Sequence, residues 1–236
     1  MRSQALRAVV TATLLSAVLG GCAPLLRGPA PAAPPADFPE GYYREALAQG
    51  KPVFRVDPAE SLVVIEVRRS GSLARLGHDH VVAGHEVGGY VAPDEGRADL
   101  YVALARMQVD EPALRKEAGF DTQPGESDIE GTRSNMLEKV LEADKFPFAL
   151  IQVSGAKAKE RKTTLAVAIT LHGHMRTLQV PAEIEADAEK MSVAGRLAFN
   201  QSDFGITPYS LLGGAIAVQN RVDLRFHIIA RLSGAG

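Results

Sequence analysis

Regular alternation of apolar and polar residues is the feature that most limits what this chain can fold into. In residues 222–228 (VDLRFHI) the apolar side chains stand at even positions and the polar ones at odd positions. Successive side chains of a β-strand point to opposite faces, so this period predicts a strand with one buried face. Gly- and Pro-bearing breaks separate several such runs, which favours an antiparallel sheet closed into a barrel or folded as a sandwich. The other runs are 61–68, 98–109, 148–153, 163–171, 178–186 and 191–199.

The inward face of a barrel decides whether it can hold a ligand. A barrel of about eight strands encloses a space that side chains fill, or that holds one small or elongated molecule. In the last strand, the residues expected to point inward are Val222, Leu224, Phe226 and Ile228. Alternation is equally compatible with a packed and a hollow interior, so both stay open at this point.

Three segments have helical character. Residues 40–49 predict a short helix that ends at Gly50. In 110–119, Asp110 is the candidate N-cap and Gly119 ends the segment. In 134–143, Ser134 is the candidate N-cap. An apolar stripe on this third helix, expected to pack on the barrel or plug one end, is formed by Met136, Leu137, Val140 and Leu141.

The N-terminus resembles an export signal. Arg2 and Arg7 precede a mostly apolar run, 9–19, which is too short to span a bilayer but has the length of a signal-peptide core. The run ends in Leu19-Gly-Gly-Cys22, which resembles the bacterial lipobox, where the peptide is cut before the Cys and the thiol receives a lipid. We therefore expect lipidation of Cys22, the only cysteine. The alternative is an ordinary secretory signal with a chance Cys.

The resemblance to bacterial lipoproteins also implies a location and a domain order. Ala23, directly after the Cys, suits the outer membrane of a Gram-negative host, with the protein facing the periplasm. The predicted order is a signal peptide over 1–21, a lipidated Cys with a Pro- and Ala-rich tether over 22–51, and a folded domain over 52–233. The lipid is the expected membrane anchor.

The charge of the chain argues against nucleic acid as a partner. Removing residues 1–21 removes two Arg and no acidic residue, which leaves 24 Lys and Arg against 28 Asp and Glu, a formal charge of −4. Nucleic-acid binding requires a basic surface. We therefore expect no nucleic-acid partner.

Two His-x-His pairs are candidates for metal binding. Residues i and i+2 share a face of a strand, so each pair could present two imidazoles to one zinc or copper ion. The candidate ligands are His78, His80, His172 and His174. The competing interpretation is that the surrounding glycines, Gly77, Gly84 and Gly173 among them, form turns in which the side chains diverge.

The sequence motifs favour a binding protein over an enzyme. The sequence has no G-x-S-x-G nucleophile elbow, no phosphate-binding loop and no cysteine beyond Cys22. No set of residues indicates a catalytic centre. We therefore expect no enzymatic activity and no required cofactor.

Several segments resemble the YceI-like proteins. The similar segments are Asn135-Met136-Leu137, the run 143–147 (ADKFP), the run 171–176 (LHGHMR), the run 202–206 (SDFGI) and the closing strand 222–230. The resemblance covers about 52–233. It implies a lipocalin-like antiparallel β-barrel whose tunnel binds a long isoprenoid or a similar amphiphilic lipid.

The resemblance also implies positions for a ligand site. The residues placed to line or close the tunnel are Met136, Phe146, Phe148 and Phe204, with Phe226 on the inward face of the closing strand. Those placed near a polar head group, or in structural hydrogen bonds, are His80, Arg133, Asn135 and Asp203. For Asp203-Phe204-Gly205 the competing interpretation is a turn lock, in which Asp binds the backbone and Gly allows positive φ. The segment 76–80 is richer in His than the family pattern, and 111–130 resembles an insertion.

Three functions stay open from the sequence. The first is a membrane-tethered protein that binds an isoprenoid-like lipid. The second is a His-rich metal-binding or redox-accessory protein of the cell envelope. The third is a ligand-free barrel that serves as a scaffold for partners.

Overall fold

The computed structural model describes residues 32–155 and 161–234. The predicted signal peptide and the predicted lipidation site, Cys22, lie outside these residues. None of the helices within the described ranges is long and apolar enough to cross a bilayer.

The described residues form one antiparallel sheet of twelve strands. In chain order the strands are β1 (Phe54–Val56), β2 (Leu62–Ser70), β3 (His80–Gly84), β4 (Val87–Ala92), β5 (Arg97–Ala103), β6 (Gln108–Val109), β7 (Phe148–Ser154), β8 (Lys162–Leu171), β9 (His174–Ala186), β10 (Lys190–Asn200), β11 (Ser210–Leu211) and β12 (Ile216–Leu232).

The sheet closes on itself as an eight-stranded barrel. The pairs β1–β2, β3–β4 and β5–β6 are successive parts of three long strands, each interrupted once. β12 pairs with β10 along one edge, and along the other edge it pairs first with β2 and then with β1. Because β1 also pairs with β4, the ring is complete. The predicted antiparallel β-barrel is therefore confirmed, and the sandwich is excluded.

The alternating runs of the sequence are strands within a few residues of their predicted bounds. The run 98–109 is broken, because a 3₁₀ turn over Leu104–Arg106 separates β5 from β6. Strands β1, β3, β4 and β11 lie outside the predicted runs. In β4, Gly88 and Gly89 interrupt the pattern. The structure requires glycine at both positions. A Cβ on Gly88 would lie 2.3 Å from the Tyr101 ring, and Gly89 has a φ of +139°.

Three α-helices lie outside the strands of the described residues, one in or beside each segment with predicted helical character. They are α1 (Glu40–Ala48), α2 (Pro112–Glu117) and α3 (Glu126–Asn135), and α3 continues into a π-helical turn over Met136–Val140. Short 3₁₀ turns cover Ala74–Leu76, Pro93–Glu95, Leu104–Arg106, Gln201–Phe204 and Leu212–Gly214.

The two predicted N-caps are wrong. Helix α3 begins at Glu126, where the Asp128 carboxylate accepts the Gly125 N–H at 3.2 Å, so Ser134 lies inside the helix. The Ser134 hydroxyl instead donates to Glu138. Asp110 has a φ of +57° and does not cap α2. Its carboxylate instead binds Arg115, His80 and the Val81 N–H.

Helix α1 belongs to the folded domain and not to a tether. Tyr43 is 1% exposed and packs with Ala46, Val53 and Ala92 on the outer wall of the barrel. Its hydroxyl donates to the buried Asp99 carboxylate at 2.6 Å. Burial, aided by Asp99, raises the pKa of Tyr43 far above its ordinary value, so the phenol stays a donor. The folded part of the chain therefore begins before residue 52.

We expect Tyr43→Ala to lower the free energy of unfolding by about 3 kcal/mol, because it empties a buried site and leaves Asp99 without one donor. The matched control is Leu47→Ala on the exposed side of the same helix, with an expected effect within about 0.5 kcal/mol. Urea denaturation followed by circular dichroism measures both. Equal stabilities for the two variants would show that α1 does not belong to the fold.

Candidate functional site

The barrel encloses an apolar cavity of ≈ 230 Å³. Alternate residues of β2, β4, β5, β7, β8, β9, β10 and β12 line it. The aliphatic and aromatic lining includes Val63, Ile65, Leu100, Val102, Ile151, Val153, Leu165, Val167, Ile169, Val193, Leu197, Phe199, Leu224, Phe226 and Ile228. Among the described residues that line the cavity, Arg97 is the one that carries a charge, and its guanidinium binds Asp99 at 2.7 Å and lies over the Tyr42 ring. The side chains that meet the cavity are therefore almost entirely hydrocarbon.

The cavity extends along the barrel. At one end it is bordered by Val91, Pro93 and Ala98, near the turn between β4 and β5. At the other end it is bordered by Leu104, Leu171 and the helical residue Leu141. We call this second end the capped end; it is where β2, β5, β8 and β10 finish and where β3, β7, β9 and β12 begin.

The helical segment after α3 closes the capped end. Met136, Leu137 and Leu141 pack against the hydrophobic core of the barrel. The Arg133 guanidinium fixes the segment by donating to the carbonyl oxygens of Ala105 and Met107. The prediction that this apolar stripe packs on the barrel or plugs one end is confirmed.

The ring of Phe226 lines the cavity beside Gly195. Phe226 pairs with Gly195 across β10 and β12, and a Cβ on Gly195 would lie 2.6 Å from the Phe226 ring and 2.6 Å from the Pro181 carbonyl oxygen. Any larger residue at 195 would displace the ring. Gly195 therefore sets the place that the ring occupies inside the barrel.

A buried charged cluster holds β3 to α2 at the capped end. Asp110 and Arg115 have side chains that are 0% and 2% exposed, and the Arg115 guanidinium donates to Asp110 Oδ1 at 2.5 Å. The other carboxylate oxygen lies 2.6 Å from His80 Nδ1, and Oδ1 also accepts the Val81 N–H. Burial alone would raise the pKa of Asp110, but the hydrogen bonds from His80 and Val81, with Arg115, hold it below its ordinary value.

The second histidine pair lies on a hairpin turn. His172 and Gly173 have φ values of +51° and +74°, as the two central residues of a tight β-hairpin turn require. His172 Nε2 lies 2.9 Å from Glu142, which joins the β8–β9 turn to the end of the helical segment. Hydrogen bonds from Lys145 and His172 lower the pKa of Glu142. The His174 ring packs against Gly205.

The structure does not bring the four candidate metal ligands together. Ring centroids are 6.2 Å apart for His78 and His80, and 6.3 Å apart for His172 and His174. Within residues 32–155 and 161–234, no three His, Cys, Asp or Glu side chains form a group that could hold a metal ion. The glycine-based expectation of a turn is right for Gly173, whereas Gly84 lies in strand β3.

Of the nine predicted ligand-site residues, Phe226 lines the cavity and eight do not. The eight are His80, Arg133, Asn135, Met136, Phe146, Phe148, Asp203 and Phe204. Phe148 lies on the outer wall against Tyr101, because Ala149, Ile151 and Val153 take the inward face of β7. Phe146 packs over the β8–β9 turn beside His172.

The segment 200–205 is a locked turn, as the competing interpretation predicted. The Asp203 carboxylate accepts the Asn200 N–H at 3.3 Å, and Gly205 has a φ of +70°. Phe204 is fully buried against Phe199, which itself lines the cavity. Phe204 therefore packs against a residue of the cavity lining without itself reaching the cavity.

Sequence reasoning missed the partnership of Asp110 and Arg115. The sequence did contain a signal: Asp110 directly follows the apolar strand residue Val109, and Arg115 comes five residues after it. Asp at such a place is usually a cap, and the left-handed backbone of Asp110 is what redirects its carboxylate toward β3.

Comparisons with known proteins agree with this architecture. The family model described as "YceI-like domain" matches residues 54–230. Among solved structures, a polyisoprenoid-binding domain from Saccharophagus degradans, implicated in plant cell wall breakdown, superposes with a TM-score of 0.56 at 12% identity, over 76% of this chain and 98% of that one. BcnA of Burkholderia cenocepacia superposes with a TM-score of 0.54 at 18% identity, over 74% and 98%. No curated protein sequence matches.

We expect Asp110→Asn to cost about 3 kcal/mol of unfolding free energy at neutral pH, because Arg115 would keep its charge without a buried partner. The matched control is Asp121→Asn, which removes an exposed partner of Arg69 and should cost at most about 0.5 kcal/mol. Urea titrations of both variants and the wild type measure the difference.

The same cluster makes the free energy of unfolding of the wild type depend on pH in the acid range. Because the pKa of Asp110 is lower in the folded state than its ordinary 3.8, its contribution is complete above that value and is lost as the pH falls below it. Urea titrations repeated between neutral pH and pH about 3 should show this loss in the wild type and not in Asp110→Asn. Parallel pH profiles for the two proteins would contradict the assignment.

Proposed function

This chain belongs to the YceI-like domain family, and from that premise we propose that it binds a long isoprenoid-like lipid inside its barrel. The observation that carries the proposal is the apolar cavity that runs from the β4–β5 turn to Leu141. The solved polyisoprenoid-binding domain that shares the fold is consistent with such a ligand.

The chemistry of the lining selects the class of ligand. Each buried methylene contributes about 0.8 kcal/mol, so a hydrocarbon chain of several isoprene units can offset the cost of association. Within residues 32–155 and 161–234, the cavity-facing side chains offer a ligand no ion-pair partner, because Arg97 is bound by Asp99 on the outer wall. A charged head group therefore has to remain outside the apolar part of the cavity.

Binding, without catalysis, is the activity that these residues support. The cavity lining among the described residues contains no Ser, Thr, Cys, His, Asp, Glu, Lys or Tyr side chain that could act as a nucleophile, acid or base. The three buried aspartates among the described residues, Asp79, Asp99 and Asp110, are each paired with an arginine.

We further propose that the barrel is attached to a membrane through a lipid on Cys22. The support is the sequence Leu-Gly-Gly-Cys after a short apolar run, and the Ala that follows suits the outer membrane, facing the periplasm. An anchored carrier would remain beside a membrane that can supply its ligand.

We expect Ala149→Phe to reduce the lipid that copurifies with the protein about tenfold, because the new ring enters the cavity and adds roughly 1–3 kcal/mol of overpacking when the lipid is present. The matched control is Ala168→Phe in β8, whose side chain is on the opposite face from the lining residues Val167 and Ile169. Native mass spectrometry and lipid extraction of protein from its own host measure the occupancy. A wild-type barrel that carries no lipid, or equal occupancy in both variants, would overturn the proposal.

We expect Cys22→Ala to release the protein from the membrane fraction and to abolish labelling by a radioactive fatty acid. The reason is that the lipid attached to the Cys22 thiol is the membrane anchor in this proposal. Fractionation of cells that express the wild type or the variant measures this. A variant that stays membrane-bound and labelled would contradict the assignment.

A further inference from the structure

The exposed apolar surface is concentrated at one end of the barrel. Among the described residues, five large hydrophobic side chains are exposed: Leu47, Leu76, Met175, Leu211 and Leu212. Four of them lie at the capped end. Leu76 is in the connection before β3, Met175 is the second residue of β9, Leu211 is in β11, and Leu212 is in the turn before β12.

Three of these residues belong to one structural unit, which we call the leucine lobe (Leu76, Leu211 and Leu212). The segment that carries Leu76 is bound to the turn before β12, because the Leu73 N–H donates to the Ala215 carbonyl oxygen at 2.8 Å. Leu211 pairs with Ile216. The three residues are 60%, 48% and 73% exposed, so solvent reaches about half of Leu211 and more than half of the other two.

The backbone holds Leu212 outward at a conformational cost. Its φ is +51°, in the left-handed region that leucine rarely adopts, and Gly213 and Gly214 continue the turn at positive φ. A folded chain ordinarily gains by burying leucine. Strain that presents a leucine to solvent indicates a binding surface.

Cationic side chains are also exposed at the capped end. Arg75, Lys139 and Arg176 are exposed at the capped end, and none of them forms a salt bridge within residues 32–155 and 161–234. Lys139 lies over the ring of Tyr209, 6.0 Å from its centroid. Exposed leucines with cations at their border fit the acyl boundary and the phosphates of a bilayer. Asp144 and Asp203 are also exposed there, so we expect the leucines to contribute more than the charges.

The N-terminal part of the described chain runs toward the capped end. Lys51 pairs with Glu95 at the opposite end, Tyr43 bonds to Asp99 further along β5, and the Ala32 carbonyl accepts from Tyr101, two residues before β5 ends at the capped end. Ten residues, 22–31, connect Cys22 to Ala32. Fully extended, they span at most about 35 Å.

We propose that the capped end docks on the surface of a lipid bilayer, with the leucine lobe inserted at the acyl boundary. The short connection to Cys22 makes a membrane the partner, and this part of the reasoning rests on the proposed lipid anchor. The docked orientation places the helical segment that closes the cavity against the bilayer.

The absence of Trp from the chain permits a direct test. The full-length protein carrying Leu212→Trp is purified from membranes and reconstituted into vesicles of phosphatidylethanolamine and phosphatidylglycerol. We expect its emission to be blue-shifted and quenched about twofold or more by brominated acyl chains, because an indole at this place sits at the bilayer interface. Leu47→Trp on helix α1 is the matched control and should show neither effect. Adding Leu76→Ser and Leu211→Ser to Leu212→Trp should remove the quenching.

Several results would overturn the inference. One is equal quenching at positions 47 and 212; another is a blue shift of the Leu212→Trp indole before vesicles are added, which would indicate a protein partner or a second copy. Native mass spectrometry of the same variants measures the lipid bound in the barrel, so membrane docking and the proposed lipid binding are tested separately. No residue of the leucine lobe lines the cavity, so lipid occupancy should stay unchanged in every variant. An empty barrel with quenched indole would remove the proposed ligand and leave the docking surface in place.

Discussion

Strand β1 is the contact on which the barrel depends. Its three residues, Phe54–Val56, pair with β12 on one side and with β4 on the other, and these pairs join the two ends of the sheet. Closure removes every exposed edge from the ring and fixes the register of each strand. Once the register is fixed, alternate side chains of each strand must face the interior of the barrel. In this sequence the apolar side chains are the ones that do.

The cavity follows from closure and from side-chain size. Eight strands leave an interior that large residues would fill. Here most inward positions hold Val, Ile, Leu or Ala, and the aromatic rings that enter are those of Phe199 and Phe226. Polar clusters lie outside the cavity. At the capped end, Asp110 with Arg115, and Glu142 with His172, attach the helical segments to the ends of the strands.

Sequence patterns predicted the barrel better than the site because the two depend on different contacts. Alternation is local, so runs such as 163–171 gave strand β8 within one residue. The histidines and Asp203 stood out because polar residues near strand ends are conspicuous, yet their partners are non-local. His80 meets Asp110, 30 residues away, and His172 meets Glu142, also 30 residues away. Phe148 and Ala149 differ by one position, and only the register with β5 shows which of them faces the cavity.

The orientation proposed for the barrel bears on how a lipid could reach it. Transfer of an isoprenoid from an apolar environment into water costs about 0.8 kcal/mol per methylene. The free-energy cost of a route through solvent therefore increases with the length of the chain. At the capped end, the residues that separate the cavity from the outside are those of the π-helical turn and Leu141, held by the Arg133 and Glu142 contacts. π-Helical turns are common at functional positions because their wider backbone is less stable than a regular helix. If the leucine lobe places this segment against a bilayer, as proposed, Leu141 is a lining residue of the cavity on the membrane side, and a lipid that enters beside it would not have to cross water.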